Sequence, residues 1–270
     1  MSPILTDIST TALTQACEDN FIEFRKFFSG LSGAELHDEE DILWLDTGLP
    51  YGKWNGIFRT HLQPENIEHS VLDILAHFRA RQLPFSWWIG PSTRPGNLGK
   101  YLESQGFALE ESSPAMAAVL DNIPEPYPAA SELFIRKVEN SGDLKLFLEI
   151  VQDGFHIPDN ALQDLLDLYS QAYAKSQPPF IHFLGLWDGE PTAATSLFLN
   201  GRSAGIYNVA TLPPARGQGI GTALTTKAMA QARKLGYRVA VLRASDMGRG
   251  VYRQLGFREY CKLDQYIFNG

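Results

Sequence analysis

Apolar and polar positions recur along this chain with two different periods, and the change from one to the other marks out its elements. From residue 220 onward Ile220, Leu224, Ala228 and Leu235 return at near-helical intervals, Lys and Arg collect in the last turns, and Gly236 follows. A helix is predicted there. Upstream, FIHFLGLWDG, EPTAATSLFLNG and RSAGIYNVATLP are extended runs ended by Gly, Pro or Asn, the pattern of an antiparallel meander. Before them FIRKV reads as a strand and SGDLKLFLEIVQDGF as a helix capped by Ser141. PDNALQDLLDLYSQAYAKS reads as a second helix capped by Asp159 or Asn160, with Leu162, Leu165, Leu166 and Tyr169 on one face. After residue 236 come a run YRVAVLRAS, a short helix around GRGVYRQLG and a closing strand FREYCKLDQYIF. The order β α α β β β α β α β predicts a mixed α/β layer rather than a barrel or a bundle.

Prolines 124, 126 and 128 crowd the stretch DNIPEPYPAASE, where they remove backbone donors and push each preceding residue toward extended conformation. That stretch is the predicted linker (122–132), between an N-terminal domain (1–121) and a C-terminal domain (133–270). A chain of 270 residues with 44% hydrophobic and 20% charged side chains is long enough and apolar enough for two such cores. A net charge of −8 provides no broad positive field for nucleic acid. Cys17 and Cys261 are too far apart in sequence to suggest a disulfide framework or a metal site. The leading segment has neither a basic flank nor a long apolar run, so a cytoplasmic protein without a membrane span is expected.

The chemistry concentrates between the last strand of the meander and the secure helix. There Arg216, Gly217, Gln218, Gly219, Ile220 and Gly221 place glycines where backbone amides can approach a ligand, at a helix N-terminus carrying partial positive charge. Such a loop suits a pyrophosphate. The segment YNVATLPPARGQGIGTAL, followed by YRQLGF, resembles the cofactor motif and closing signature of the GNAT superfamily of N-acetyltransferases. The resemblance covers about residues 133 to 268. It implies a GNAT fold, acetyl-CoA as co-substrate without a metal, and a phosphate cradle made by the amides of residues 218–221 with help from the Thr222 hydroxyl. It also implies that two central strands splay apart, so that main-chain groups of Val209, Ala210 and Thr211 meet the pantetheine arm and one amide stabilises the oxyanion of the tetrahedral intermediate.

The same resemblance puts Tyr252 beside the CoA sulfur as the acid for the departing thiolate. Where the family commonly has Asn, this chain has Ser245, either a hydrogen-bonding partner of the pantetheine arm or the cap of the short helix. Asp153, His156, Asp188 and Glu190 sit at element ends, and none has a motif that marks it as a general base. Neither cysteine suggests a covalent relay, so direct attack in a ternary complex is expected.

An internal comparison points to a tandem arrangement. KWNGIF (53–58) parallels IYNVAT (206–211), and SWWIGPSTRPGNLGKYLESQGF (86–107) parallels AVLRASDMGRGVYRQLGF (240–257). The first copy has lost the chemistry: FRTHLQPENIEHSVL contains no glycine, and Leu102 stands where the second half has Tyr252. Trp44, Trp54, Trp87 and Trp88 are open to a role in packing or in an acceptor pocket, and the acidic run HDEEDILWLD (37–46) reads as a solvated loop entering a strand. The expected activity is transfer of acetyl to a primary amine of a small molecule, with the first domain closing over the acceptor. A non-catalytic CoA or metabolite sensor and a protein N-acetyltransferase remain alternatives.

Overall fold

The computed structural model describes residues 3–123, 132–199 and 202–268. Most of the proline-rich linker (122–132) thus lies outside the described residues. In chain order the elements are α1 (Thr10–Lys26), β1 (Glu35–Asp38), β2 (Ile42–Asp46), β3 (Gly56–Thr60), α2 (Ile67–Arg81), β4 (Ser86–Ile89), α3 (Leu98–Ser104) and β5 (Phe107–Val119). There follow β6 (Leu133–Lys137), α4 (Ser141–Phe155), α5 (Leu162–Tyr173), β7 (Phe180–Trp187), β8 (Glu190–Phe198) and β9 (Ala204–Thr211). The chain closes with α6 (Ile220–Lys234), β10 (Val239–Arg243), α7 (Asp246–Gln254) and β11 (Arg258–Phe268). From β6 onward this is the predicted order, in a mixed α/β architecture.

Two compact units divide the chain, one of Met1–Asn20 with Ala115–Tyr260, the other of Phe21–Pro114 with Cys261–Gly270. The division differs from a cut at the linker (122–132) by an exchange of segments. Residues before Phe21 and the end of β5 go with the C-terminal unit, whereas most of β11 goes with the N-terminal one.

In the C-terminal unit the strand order is β5-β10-β9-β8-β7-β6. The meander β7, β8, β9 is antiparallel, and β10 runs parallel to β9. The central strands are buried along most of their length, as befits a sheet covered on both faces. Helices α4 and α6 both pack on β8 and β9. Gly154 of α4 exists for close approach, because a β-carbon there would lie 2.8 Å from the Ala210 β-carbon. Two expected caps are displaced. Asn140, not Ser141, caps α4 by accepting from the Asp143 amide at 2.9 Å, since its extended backbone turns its side chain back onto the first helical turn. Asp159 and Asn160 form a 3-10 turn, and α5 begins after it at Leu162 without a side-chain cap.

In the N-terminal unit the order is β1-β2-β3-β4-β11. The sequence β3, α2, β4, α3 repeats the order β9, α6, β10, α7, and β3 is parallel to β4 as β9 is to β10. Trp87, Trp88 and Trp54 are buried packing residues, and Trp44 is half-buried with His37 stacked on it at 3.7 Å. Asp46, at the end of the acidic run expected to be solvated, is fully buried. Its Oδ2 lies 2.7 Å from His77 Nε2 and 3.1 Å from Arg81 Nε, and its Oδ1 accepts from the Gly48 amide at 2.7 Å. A carboxylate out of water requires such partners.

Candidate active site

The site grows from the point where β9 leaves β10. Their paired register covers only Ala204 with Ala240 and Gly205 with Val241. Beyond Gly205, β9 continues in register with β8 alone as far as Thr211. The β10-facing edge of residues 206–211 therefore carries main-chain groups that need partners from elsewhere.

Against β8, strand β9 also carries one residue too many. Ala194 faces Ala210 and Ser196 faces Tyr207, so Asn208 and Val209 together oppose Thr195. This is a β-bulge, and Asn208 adopts the left-handed conformation, φ 54°, that such bulges use. For a non-glycine residue that conformation costs roughly 1 kcal/mol, least for Asn and Asp. The cost is offset by a partly buried hydrogen bond from Asn208 Nδ2 to Ser196 Oγ at 2.9 Å, typically a net contribution of about 1 kcal/mol. Ser196 Oγ in turn lies 2.9 Å from Nδ1 of His182, which is wholly buried. Burial pushes the His182 pKa down to about 3, so the ring is neutral at physiological pH. Nothing in the sequence pattern marked this group, since His182 and Ser196 lie on separate strands and read only as strand residues.

After β9 the chain makes a 3-10 turn at Pro213–Ala215 and then an exposed loop. Arg216 is held back by donation from its Nε to the Thr211 carbonyl at 2.9 Å. Gly217 and Gly219 take φ of 80° and 74°, and a β-carbon on either would meet nothing within 4 Å. Positive φ without crowding means that glycine serves here for backbone shape, with open space in front of the loop. Gly219 is the N-cap of α6, and the Ala223 amide is the first to be satisfied inside the helix, by the Gly219 carbonyl at 3.0 Å. The amides of residues 220–222 precede that bond and point out of the helix end, where the dipole favours an anion. A β-carbon on Gly221 would lie 3.9 Å from both Thr211 Oγ1 and Val209 Cγ1. The fold thus brings together two groups of residues named from sequence, 209–211 and 216–222.

Tyr252 stands on α7 and packs against the apolar cluster that includes Ile220, Leu255 and Phe257, with Val209 also at its edge. Its ring leans back over Gly248, where a β-carbon would come within 2.8 Å of Cε2, and meets Phe257 edge-on at 6.0 Å. Desolvation raises the phenol to about 12, so it is a proton donor throughout the neutral range. Ser245 is the N-cap of α7, its hydroxyl accepting from the Gly248 amide at 3.2 Å. Of the two roles open to Ser245 in the sequence, the structure displays the cap. Asp153 and His156 are exposed at the end of α4, and Asp188 and Glu190 are exposed at the β7–β8 turn. Cys17 is buried, and neither cysteine is in a disulfide. Among the described residues no cluster of His, Cys, Asp and Glu is arranged to hold a metal, and no helix is long and apolar enough to cross a membrane.

Comparison with known proteins agrees with this arrangement. A family profile for the acetyltransferase (GNAT) family matches residues 145–257. No curated protein matches the chain in sequence. Among solved structures, a GCN5-related N-acetyltransferase from Kribbella flavida superposes with a TM-score of 0.71 at 15% identity, over 98% of this chain and 97% of that one. Another from Sphaerobacter thermophilus gives 0.64 at 16% identity, over 87% and 75%. A tandem GNAT protein from the clavulanic acid biosynthesis pathway gives 0.59 at 12% identity, over 88% and 83%. At such identities the likeness is one of fold.

Proposed function

We propose that the chain transfers acetyl from acetyl-CoA to a primary amine of a small molecule by direct attack in a ternary complex, a reading supported by the match of residues 145–257 to the acetyltransferase (GNAT) family. One observation carries this reading: two open, positive-φ glycines at the N-terminus of α6 adjoin the stretch of β9 that has parted from β10. Phosphates of the co-substrate lie against the amides of residues 218–221, with the Thr222 hydroxyl beside them and Arg216 at the rim. The pantetheine arm runs along Val209, Ala210 and Thr211, completing the hydrogen bonds that β10 leaves open.

With the thioester there, the free amine attacks the acyl carbon, the carbonyl oxygen gains negative charge, and the Val209 amide donates to it. Collapse of the tetrahedral intermediate breaks the carbon–sulfur bond. Tyr252 donates to the departing thiolate. A phenol at about 12 is a weak acid toward an ordinary thiol, but the desolvation that raises Tyr252 raises a thiol beside it as well, which narrows the gap. Ser245 remains the cap of α7 and steadies the helix that carries Tyr252. The amine loses its proton to water.

Calorimetric titration of the full chain with CoA, followed by thiol release from acetyl-CoA across a panel of primary amines, tests the reading. One saturable CoA site and amine-dependent release are expected. Saturable CoA binding with no release under any amine would make the protein a sensor, and no binding would overturn the assignment of the loop.

A further inference from the structure

The buried group beneath the bulge has no part in the chemistry just described, yet it is built at a cost. His182 is wholly buried among aromatic rings, with Phe147 stacked on it at 4.2 Å, Phe180 at 5.2 Å and Tyr169 edge-on at 5.0 Å. Its Nε2 has no hydrogen-bond partner. A stranded polar atom in a core calls for an explanation, because an apolar side chain would fill the space without penalty. The explanation lies at the other nitrogen. Ser196 Oγ takes a proton from Asn208 Nδ2, and by donating its own to His182 Nδ1 it leaves no hydroxyl proton unpaired. The chain of donation runs from the bulge inward and ends on an imidazole that must be neutral to accept.

Asn208 is the left-handed residue of the bulge and Val209 is the next residue, so the peptide between them carries the Val209 amide. We infer that His182, Ser196 and Asn208 are positioning residues that hold the bulge of β9 in its left-handed form and thereby aim the Val209 amide at the acyl carbonyl. This rests on the acetyl-transfer reading above. The side chain of Asn208 supplies what a glycine at this position would lack, a fixed orientation for a peptide plane that has no strand partner on the β10 side. His182 supplies an acceptor that does not titrate near neutrality and cannot swing to solvent.

The test uses the full chain with Asn208→Gly, Ser196→Ala and the double variant. The carbonyl stretch of bound [1-13C]acetyl-CoA, read by isotope-edited infrared difference spectroscopy, reports the hydrogen bond to the acyl oxygen without any acceptor present. In the parent the band is expected below that of free acetyl-CoA. Both single variants should lose most of that shift and about 10-fold or more in the rate of acetyl transfer, with acetyl-CoA affinity altered less than about threefold. The double variant should lose little more than either single one, because both cut the same link. Retention of the parental shift in folded variants overturns the inference, and a lowered melting temperature alone would show a core group and nothing more. Should Ser196→Ala fail to fold, Asn208→Gly decides, since glycine accepts the same φ. A parent that binds acetyl-CoA with no carbonyl shift overturns the assigned donor, and the inference with it. A parent that binds none overturns the function reading first.

Discussion

Strands β9 and β3 hold the same place in two copies of one strand-helix-strand-helix sequence, and both begin a short parallel pairing with the strand that follows. β9 pairs with β10 at two residues and then departs. β3 pairs with β4 at Gly56 and Ile57 and then is rejoined, because Arg94 donates its amide to the Thr60 carbonyl at 2.8 Å and accepts from the Leu62 amide at 3.1 Å. The fully buried Trp87 fills the interval, with its indole nitrogen donating to Thr60 Oγ1 at 3.0 Å. At the helix start the contrast repeats. α6 opens on two free-standing glycines, whereas α2 opens on a turn of Pro64, Glu65 and Asn66 in which Pro64 contributes no amide. One copy keeps backbone groups open to a ligand. The other spends them on itself. Even the paired asparagines follow this division. Asn55 is satisfied by the Thr47 amide and hydroxyl and by the Leu49 and Pro84 carbonyls, whereas Asn208 leans on a serine and a histidine.

The largest effect should come from blocking the open copy. Gly219→Glu places a carboxylate in the proposed phosphate cradle and forces it into φ 74°, so CoA binding should vanish in calorimetry while stability falls by only about 1–2 kcal/mol. Glu65→Ala, at the matching turn of the closed copy, should leave CoA binding unchanged, and a change there would break the comparison. Next, Tyr252→Phe should lower the single-turnover rate ~10²- to 10⁴-fold with CoA affinity unaltered. Leu102, its counterpart in the closed copy, is fully buried, and only stability should respond to its replacement.

How much of this was legible in sequence differs between the copies for a physical reason. The order of elements from β6 to β11 and the end of α6 at Gly236 were readable, because periodicity and helix stops are local. So was the glycine loop, since only glycine makes that shape without strain. The exchange of segments between units was not. Residues 264–267 belong to the predicted closing strand, but nothing local says that they pair with β4, or that Ala115–Val119 pairs with β10. Nor was the group under the bulge readable, for a bulge is a mismatch between two strands and neither strand alone contains it. The burial of Asp46 was not readable for a related reason: its partners His77 and Arg81 come from a helix far along the chain.

Smaller effects sharpen the contrast. Trp87→Ala should cost about 3–5 kcal/mol by leaving a cavity in the closed copy, read as a lower denaturation midpoint with CoA affinity of the folded protein preserved. Weaker still is a pH effect confined to the open copy. The folded His182 pKa of about 3 lies below the unfolded value, so its contribution is fully present above about pH 6.5 and is lost as pH falls toward 3. Acid titration of stability should therefore flatten in His182→Phe relative to the parent, by up to a few kcal/mol. Tyr173, whose hydroxyl contacts the His182 amide, is raised to about 12 and stays neutral across that window. An identical acid limb in the variant would remove His182 from the account.

The pairing of Ser86–Ile89 with residues 264–267 also sets a timetable. On the ribosome, strand β4 emerges long before its neighbour β11 has been translated, and of the two units the N-terminal one is completed later. Until then one edge of β4 stands without its partner, a template for the wrong strand. The N-terminal unit should therefore gain its last strand only after the C-terminal unit has been translated, and a premature stop before residue 264 would leave β4 without that partner.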